Sequence, residues 1–201
     1  MKVVLLNNIV IVPSVLFLNV FLNDYKVIHS FEMEDLPSMW TFYWQYYFCT
    51  MIDDFVFFTT HRLLHTPFWY KHVHKLHHQY NQSVSICAEY AHPIEFIFSN
   101  MLPLGVPCMM LGRNLHFYTF LTIGTLKIIG TSFGHSGYEF HNDALELYPF
   151  RASSRYHDYH HEGNINGNFG GGTIIYDWIF GYNKQYFQHI DKLEKQLSKL
   201  D

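Results

Sequence analysis

Cysteine is scarce. The three residues, Cys49, Cys87 and Cys108, are an odd number and form no C-x-x-C pair. No zinc-thiolate site is indicated, and free thiols in a reducing or membrane-buried setting are expected. Charge is thin as well, at 15% Asp, Glu, Lys and Arg, with a formal net charge of -4 when histidine is neutral. Nucleic acid is excluded as a partner, because such binding requires a basic surface. Glycine clusters only at Gly170-Gly171-Gly172, without the G-x-G-x-x-G spacing of a dinucleotide-binding turn. No flavin or nicotinamide fingerprint is present. The N-terminus has Lys2 and an apolar run but no small-residue cleavage pattern, which predicts a retained membrane segment rather than a signal peptide.

Apolar and aromatic residues are abundant: 49% of the chain is hydrophobic and 19% aromatic, with 19 Phe and 15 Tyr. A mean hydropathy of -0.04 requires a substantial polar part in water. Four apolar segments stand out, at about 3–22, 39–60, 94–111 and 115–133. Each is near the roughly 20 residues that a bilayer-spanning helix needs. The third is broken by Pro103 and Pro107, and it is expected to form a hairpin with the fourth at Gly112-Arg113-Asn114. The expected fold is all-α: a membrane-embedded bundle of about four apolar helices carrying a histidine-rich polar cap. One domain covers 1–201. Within it, 1–60 forms membrane helices, 61–92 a first histidine-rich region, 93–133 a membrane hairpin and 134–182 a second histidine-rich region. The tail, 183–201, places Ile190, Leu193, Leu197 and Leu200 at helical spacing.

Of the 15 histidines, 13 fall between His61 and His161. Three clusters carry most of the signal: H-R-L-L-H (His61, His65), H-K-L-H-H (His74, His77, His78) and H-D-Y-H-H (His157, His160, His161). Residues three and four apart on a helix are neighbours, about 5–6 Å between Cβ atoms. Each cluster can therefore offer two or three imidazoles to a common point. Two apolar segments separate the two histidine-rich regions, so both emerge on the same side of a membrane and the clusters can converge.

Neutral imidazole is the commonest side-chain metal ligand. The clusters hold eight such nitrogens, and His135 and His141 in H-S-G-Y-E-F-H can add to them. One ion takes four to six ligands, so the number points to two. Imidazole suits zinc, copper, iron and nickel alike. An all-nitrogen set beside an apolar bundle favours redox metal, with iron the first choice. His92, Glu95 and Asp158 are candidates for a ligand or for a group that orients one, with His92 equally suited to starting the helix at Pro93. His29, His72, His116 and His189 match no motif. A di-iron pair activating dioxygen needs two external electrons, which implies an electron-donor partner. Because only neutral imidazole binds metal, occupancy is expected to fall as pH drops through about 6.

From about Asp53 to Gly181 the chain resembles the fatty acid hydroxylase/sterol desaturase superfamily, and within it the C-4 methylsterol oxidases. The resemblance rests on the three clusters, on Tyr70-Lys71, and on A-E-Y-A-H-P-I-E from Ala88 to Glu95. It rests further on H-S-G-Y from His135, and on Asn168, Asp177 and Phe180-Gly181. The chain departs from the pattern at Tyr156, where a histidine is usual, at His141, where proline is more frequent, and at Tyr182, where threonine is usual. The resemblance implies a membrane di-iron oxygenase of the endoplasmic reticulum with its histidines cytosolic. It also implies electrons from NAD(P)H through a reductase and cytochrome b5, and oxidation of a sterol methyl group. The alternatives are hydroxylation or desaturation of a fatty acyl or sphingolipid chain, and a non-catalytic accessory subunit of a larger membrane complex.

Overall fold

A computed structural model describes residues 1–22, 30–80, 84–139, 150–162 and 166–199. The chain opens with α1 (Lys2–Leu6) and α2 (Val12–Leu22), joined through a π-helical stretch, Asn7–Ile11. Then come α3 (Met39–Leu64) and α4 (Pro67–His72), followed by the 3-10 turns His74–Gln79 and Ser85–Glu89. α5 (Pro93–Glu95), a π-helical stretch (Phe96–Met101) and α6 (Leu102–Leu111) form one continuous rod. α7 (Phe117–Gly134), α8 (Ser154–Glu162), α9 (Ile175–Phe180) and α10 (Lys184–Leu197) complete the order. Among the described residues there is no strand, only an isolated bridge between Arg151 and Thr173. The all-α expectation holds.

α3 is the axis. Ser38 starts it by accepting a hydrogen bond from the Thr41 amide at 3.1 Å, which satisfies one N–H that a first turn leaves open. Over its 26 residues, at 1.5 Å per residue, it is about 39 Å long. α6 and α7 pack along it around a core of Cys49, Cys108, Leu111, Leu115 and Ile123. All three cysteines are free and buried, as expected. Polar ties cross this apolar core. Gln45 donates to the Asn114 carbonyl at 2.7 Å, pinning α3 to the turn between α6 and α7. Higher up, Asp53 pairs with Lys127 of α7. The hairpin turn falls at Gly112–Asn114, as the sequence implies.

Among the described residues, one helical rod, Pro93–Asn114, is long and apolar enough to cross a membrane, while Lys2–Leu18 is apolar but shorter. α3 has the length but carries Gln45, Asp53, Asp54, His61 and Arg62, and α7 carries Lys127. The π-helical start of the rod leads into the Pro103 position, which cannot donate an intrahelical hydrogen bond. Outer faces of the bundle remain apolar: Trp40, Tyr43, Trp44, Phe55, Met109, Met110 and Ile128 are exposed.

Asn7 opens the π-helical stretch of the apolar N-terminal segment. It is fully buried and donates to the Ala91 carbonyl at 2.9 Å, so the N-terminal helix docks on the segment leading into α5. The polar cap sits at the C-terminal end of α3. Its own small core joins Ala152, Tyr156 and Tyr186.

Candidate metal centre

α3 carries His61 and His65 on its last turn and at its C-cap, one helical turn apart. The 3-10 turn that follows α4 brings His74, His77 and His78 back over that end. His135 caps α7, and α8 supplies His157, His160 and His161. All of these except His65 are buried. Their rings assemble into two groups. The first holds His61, His65, His74, His78 and His160, and the second His77, His135, His157 and His161, with the ligand atoms of each group within 4.8 Å of one another. The three clusters thus converge, but not one cluster to one point. In both H-x-x-H-H motifs the first and last histidines stay together and the middle one crosses to the other group. On α8 the reason is rotation: at 3.6 residues per turn, His160 and His161 point about 100° apart.

The ring nitrogens approach one another closely. Nε2 of His74 is 2.9 Å from that of His65, 3.1 Å from that of His78 and 3.2 Å from that of His61. In the second group the His157 and His135 Nε2 atoms are 2.9 Å apart, and those of His161 and His157 3.2 Å. With metal–nitrogen bonds of about 2.0–2.1 Å, adjacent ligand atoms fall at roughly 2.9 Å for right angles and roughly 3.4 Å for tetrahedral ones. The observed separations lie in that range.

Tautomers decide whether these contacts can be hydrogen bonds. His61 Nδ1–H donates to the Phe169 carbonyl at 2.8 Å, and His160 Nδ1–H to the Gly167 carbonyl at 2.6 Å. His74 Nδ1 lies 2.8 Å from the buried Glu95 carboxyl, which burial pushes up to about 8. A neutral ring that donates through Nδ1 presents a lone pair at Nε2. The lone pairs of His61 and His160 therefore face inward in the first group, and that of His74 joins them when Glu95 is ionised and accepts from His74 Nδ1–H. His135 donates Nδ1–H to the Thr131 carbonyl at 2.9 Å, which orients one ring of the second group likewise. Converging lone pairs repel unless a cation stands among them, and this donor set fits a pair of metal ions. Carbonyl and carboxylate acceptors behind the rings are the usual partners of metal-binding imidazoles.

Burial keeps the rings neutral. It holds His74 and His77 down to about 3 and His135 down to about 4, and it pushes His65, His78, His157 and His161 well below their ordinary range. Neighbouring imidazoles push most of them further in the same direction.

Glu95 contacts His74 directly. His92 starts α5, its Nδ1 accepting from the Ile94 amide at 3.2 Å, and lies outside both groups. Asp158, on α8, is also outside them, 3.5 Å from the Ser154 hydroxyl. His141 and His29 fall outside the described residues. His116 starts α7 and bonds the Glu32 carbonyl, while His189 packs on Tyr159. Tyr156, at the usual histidine position, is buried with its hydroxyl 2.9 Å from Asp177. Tyr182 packs on Phe169 and lies under the Arg62 guanidinium.

Sequence reasoning did not find the loop behind the centre, because its acceptors are backbone carbonyls. Asp54, two helical turns before His61, accepts from the amides of Gly172 (2.8 Å) and Thr173 (3.2 Å) and from the Thr173 hydroxyl. The glycine run, read only as a missing fingerprint, is a packing requirement. A Cβ on Gly170 would overlap the Thr173 carbonyl oxygen, and one on Gly171 would meet the Phe57 ring at 2.7 Å.

Comparison with known proteins gives the family. The family model described as fatty acid hydroxylase matches residues 46–182. A very-long-chain aldehyde decarbonylase of Oryza sativa subsp. indica is 34% identical over 153 residues, covering 75% of this chain and 56% of that protein. A putative methylsterol monooxygenase of Dictyostelium discoideum is 38% identical over 139 residues, 69% of this chain and 50% of that one. A methylsterol monooxygenase of Arabidopsis thaliana is 33% identical over 174 residues, 84% and 64% of the two chains. The chain spans about half to two thirds of the length of the curated relatives it matches. No solved structure matches it.

Proposed function

Because the chain belongs to the fatty acid hydroxylase family, we propose that it is an oxygen-dependent, non-haem di-iron oxidoreductase that oxidises a methyl group of a sterol. The single observation that carries the metal reading is the pair of buried histidine groups with lone pairs turned inward. The sterol rests on the relatives named methylsterol monooxygenase.

In the first group His61, His65, His74, His78 and His160 would hold one ion, and in the second His77, His135, His157 and His161 the other. Bound iron would supply dioxygen chemistry, one oxygen atom entering a C–H bond and the other leaving as water at the expense of two external electrons. The chain's own residues do the rest. Glu95 and the carbonyls of Gly167, Phe169 and Thr131 hold the Nδ1 protons, so the Nε2 lone pairs stay turned inward. Burial excludes water and keeps the rings neutral at physiological pH.

The electrons would come from NAD(P)H through a reductase and cytochrome b5. The Pro93–Asn114 rod and the apolar outer faces of α3 and α7 would lie in lipid, placing the cap at a membrane surface, that of the endoplasmic reticulum with the histidines cytosolic. An acyl-chain substrate is the second reading, favoured by the relatives named very-long-chain aldehyde decarbonylase.

The test uses one detergent-solubilised preparation. Iron per chain is measured, then reducing equivalents are supplied with a 4-methylsterol under oxygen. The proposal expects close to two iron ions and an oxygen-dependent sterol product. Turnover of a long-chain aldehyde or acyl lipid in place of the sterol would transfer the site to the second reading. Metal without turnover on any lipid would indicate an accessory subunit.

A further inference from the structure

The two histidine groups are supported differently. In the five-histidine group, His61 and His160 come from separate helices, α3 and α8, yet both lean on one short loop. His61 donates to the Phe169 carbonyl and His160 to the Gly167 carbonyl. Among the described residues, no hydrogen bond of the four-histidine group reaches that loop. His135 leans on Thr131 of its own helix, and His157 and His161 have no partner for Nδ1 among the described residues.

Asp177 holds the loop in place. It is fully buried near the start of α9. Its Oδ1 accepts from the Phe169 amide at 2.9 Å, and its Oδ2 from the Gly170 amide at 2.7 Å and the Tyr156 hydroxyl at 2.9 Å. The backbone is committed too. Asn168 sits at φ 57, its amide donates to the Tyr182 carbonyl at 3.1 Å, and the Tyr182 amide returns to the Asp177 carbonyl at 2.8 Å. The Phe169 amide is held by Asp177 and its carbonyl is held by His61, so displacing the carboxylate displaces the acceptor that sets the His61 tautomer.

We propose that Asp177 is a positioning residue for the five-histidine metal position alone. It acts through the 167–170 backbone, and the two positions are thereby separable in affinity. This rests on the proposed metal function. Residues that orient a metal-bound imidazole from behind typically change affinity 10–100-fold, and Asp177 acts one residue further back, through a shared carbonyl.

The test titrates the full chain, in detergent, with cobalt(II) alone, read by visible absorption and by metal per chain. The wild type takes up two ions. Asp177→Asn keeps the shape of the side chain but turns an amide N–H toward donors. It is expected to weaken one ion about 10-fold or more and leave the other unchanged. Two backgrounds identify the position. With His157→Ala, which disables the four-histidine group, adding Asp177→Asn weakens the remaining ion. With His61→Ala, which disables the other group, adding it changes nothing. Tyr156→Phe removes only one hydroxyl from the carboxylate and gives a smaller loss at the same position, so the inference stays testable if Asp177→Asn does not fold. Equal weakening of both positions, or an effect in the His61→Ala background, overturns the inference and leaves the metal function standing. A wild type that binds no cobalt removes the metal function and the inference with it.

Discussion

His74 Nδ1 and Glu95 Oε1 lie 2.8 Å apart, both side chains almost completely buried, and they join the 3-10 turn after α4 to the first residues of the apolar rod. The contact does two things at once. It ties the cap to the bundle and, with the Glu95 carboxyl ionised, it holds the proton on the side of His74 that faces away from the other rings. Burial pushes that carboxyl up to about 8, and Gln in its place can no longer ionise to hold the His74 Nδ1 proton. Glu95→Gln is expected to lower metal affinity at the five-histidine position by about 10–100-fold. Metal per chain across a chelator series checks this, and an unchanged profile would show that Glu95 only packs.

His77 and His189 offer the sharpest contrast between similar residues. His77→Ala removes a buried nitrogen of the four-histidine group and should abolish one metal equivalent together with turnover. His189 packs on Tyr159 outside both groups, and His189→Ala should leave metal content and activity as they are. Metal analysis of the two variants side by side decides the assignment. Identical behaviour would sink it.

Acid should act on the fold as well as on the ions. His74, His77 and His135 are depressed from 6.5 to between about 3 and about 4 in the folded chain. An unfolded chain therefore takes up protons first. Below about 6.5 it binds more of them than the folded chain does, so stability falls as pH falls. The contribution is intact above 6.5 and is lost progressively down to about 3. Metal loss beginning near pH 6 should accompany unfolding, not ring protonation within an intact site. Circular dichroism and metal content followed along one pH series should change together. Metal retained down to pH 4 with the fold intact would contradict this.

Asp54 accepts two amides and a hydroxyl from the loop at Gly172 and Thr173. Asp54→Ala strands those donors in the interior, at a cost of about 1–3 kcal/mol for each group left unsatisfied. The variant should unfold several degrees earlier than the wild type in a thermal scan. A melting temperature within error of wild type would mean that water reaches the loop.

Gly171 faces the Phe57 ring across the space a Cβ would need, whereas nothing lies within 4 Å of a Cβ at Gly105 on α6. Gly171→Ala should destabilise by about 1–3 kcal/mol through overpacking. Gly105→Ala should cost nothing, since alanine favours a helix interior by roughly 1 kcal/mol over glycine. Thermal unfolding of both variants makes the comparison.

Much of this was legible in the sequence, for identifiable reasons. The i/i+4 pairs His61/His65 and His157/His161 each share a group, because an α-helical turn returns the side chain to the same side; His74 and His78 also share one, although their segment is a 3-10 turn in which i and i+3 would eclipse. The hairpin at Gly112-Arg113-Asn114 and the helical tail followed from the spacing of apolar residues. Other features left no such trace. Asn7 interrupts an apolar run, and its partner, the Ala91 carbonyl, lies 84 positions away. Asp54 gives no local sign of its role, since its partners lie more than 100 positions away. The carbonyls of Gly167, Phe169 and Thr131 belong to the backbone, which carries the same acceptor at every residue.

By itself the sequence determined the inventory and the local order: which helices form, which nitrogens are available, and which of them travel in pairs. Only the tertiary structure decided that His77 and His160 cross over, which rings share each of the two groups, and which ring nitrogen keeps its proton. The physical reason is range. Helical periodicity acts over about four residues. A tautomer is set by whichever acceptor the fold places behind the ring, as Phe169 stands behind His61 at a separation of 108 positions.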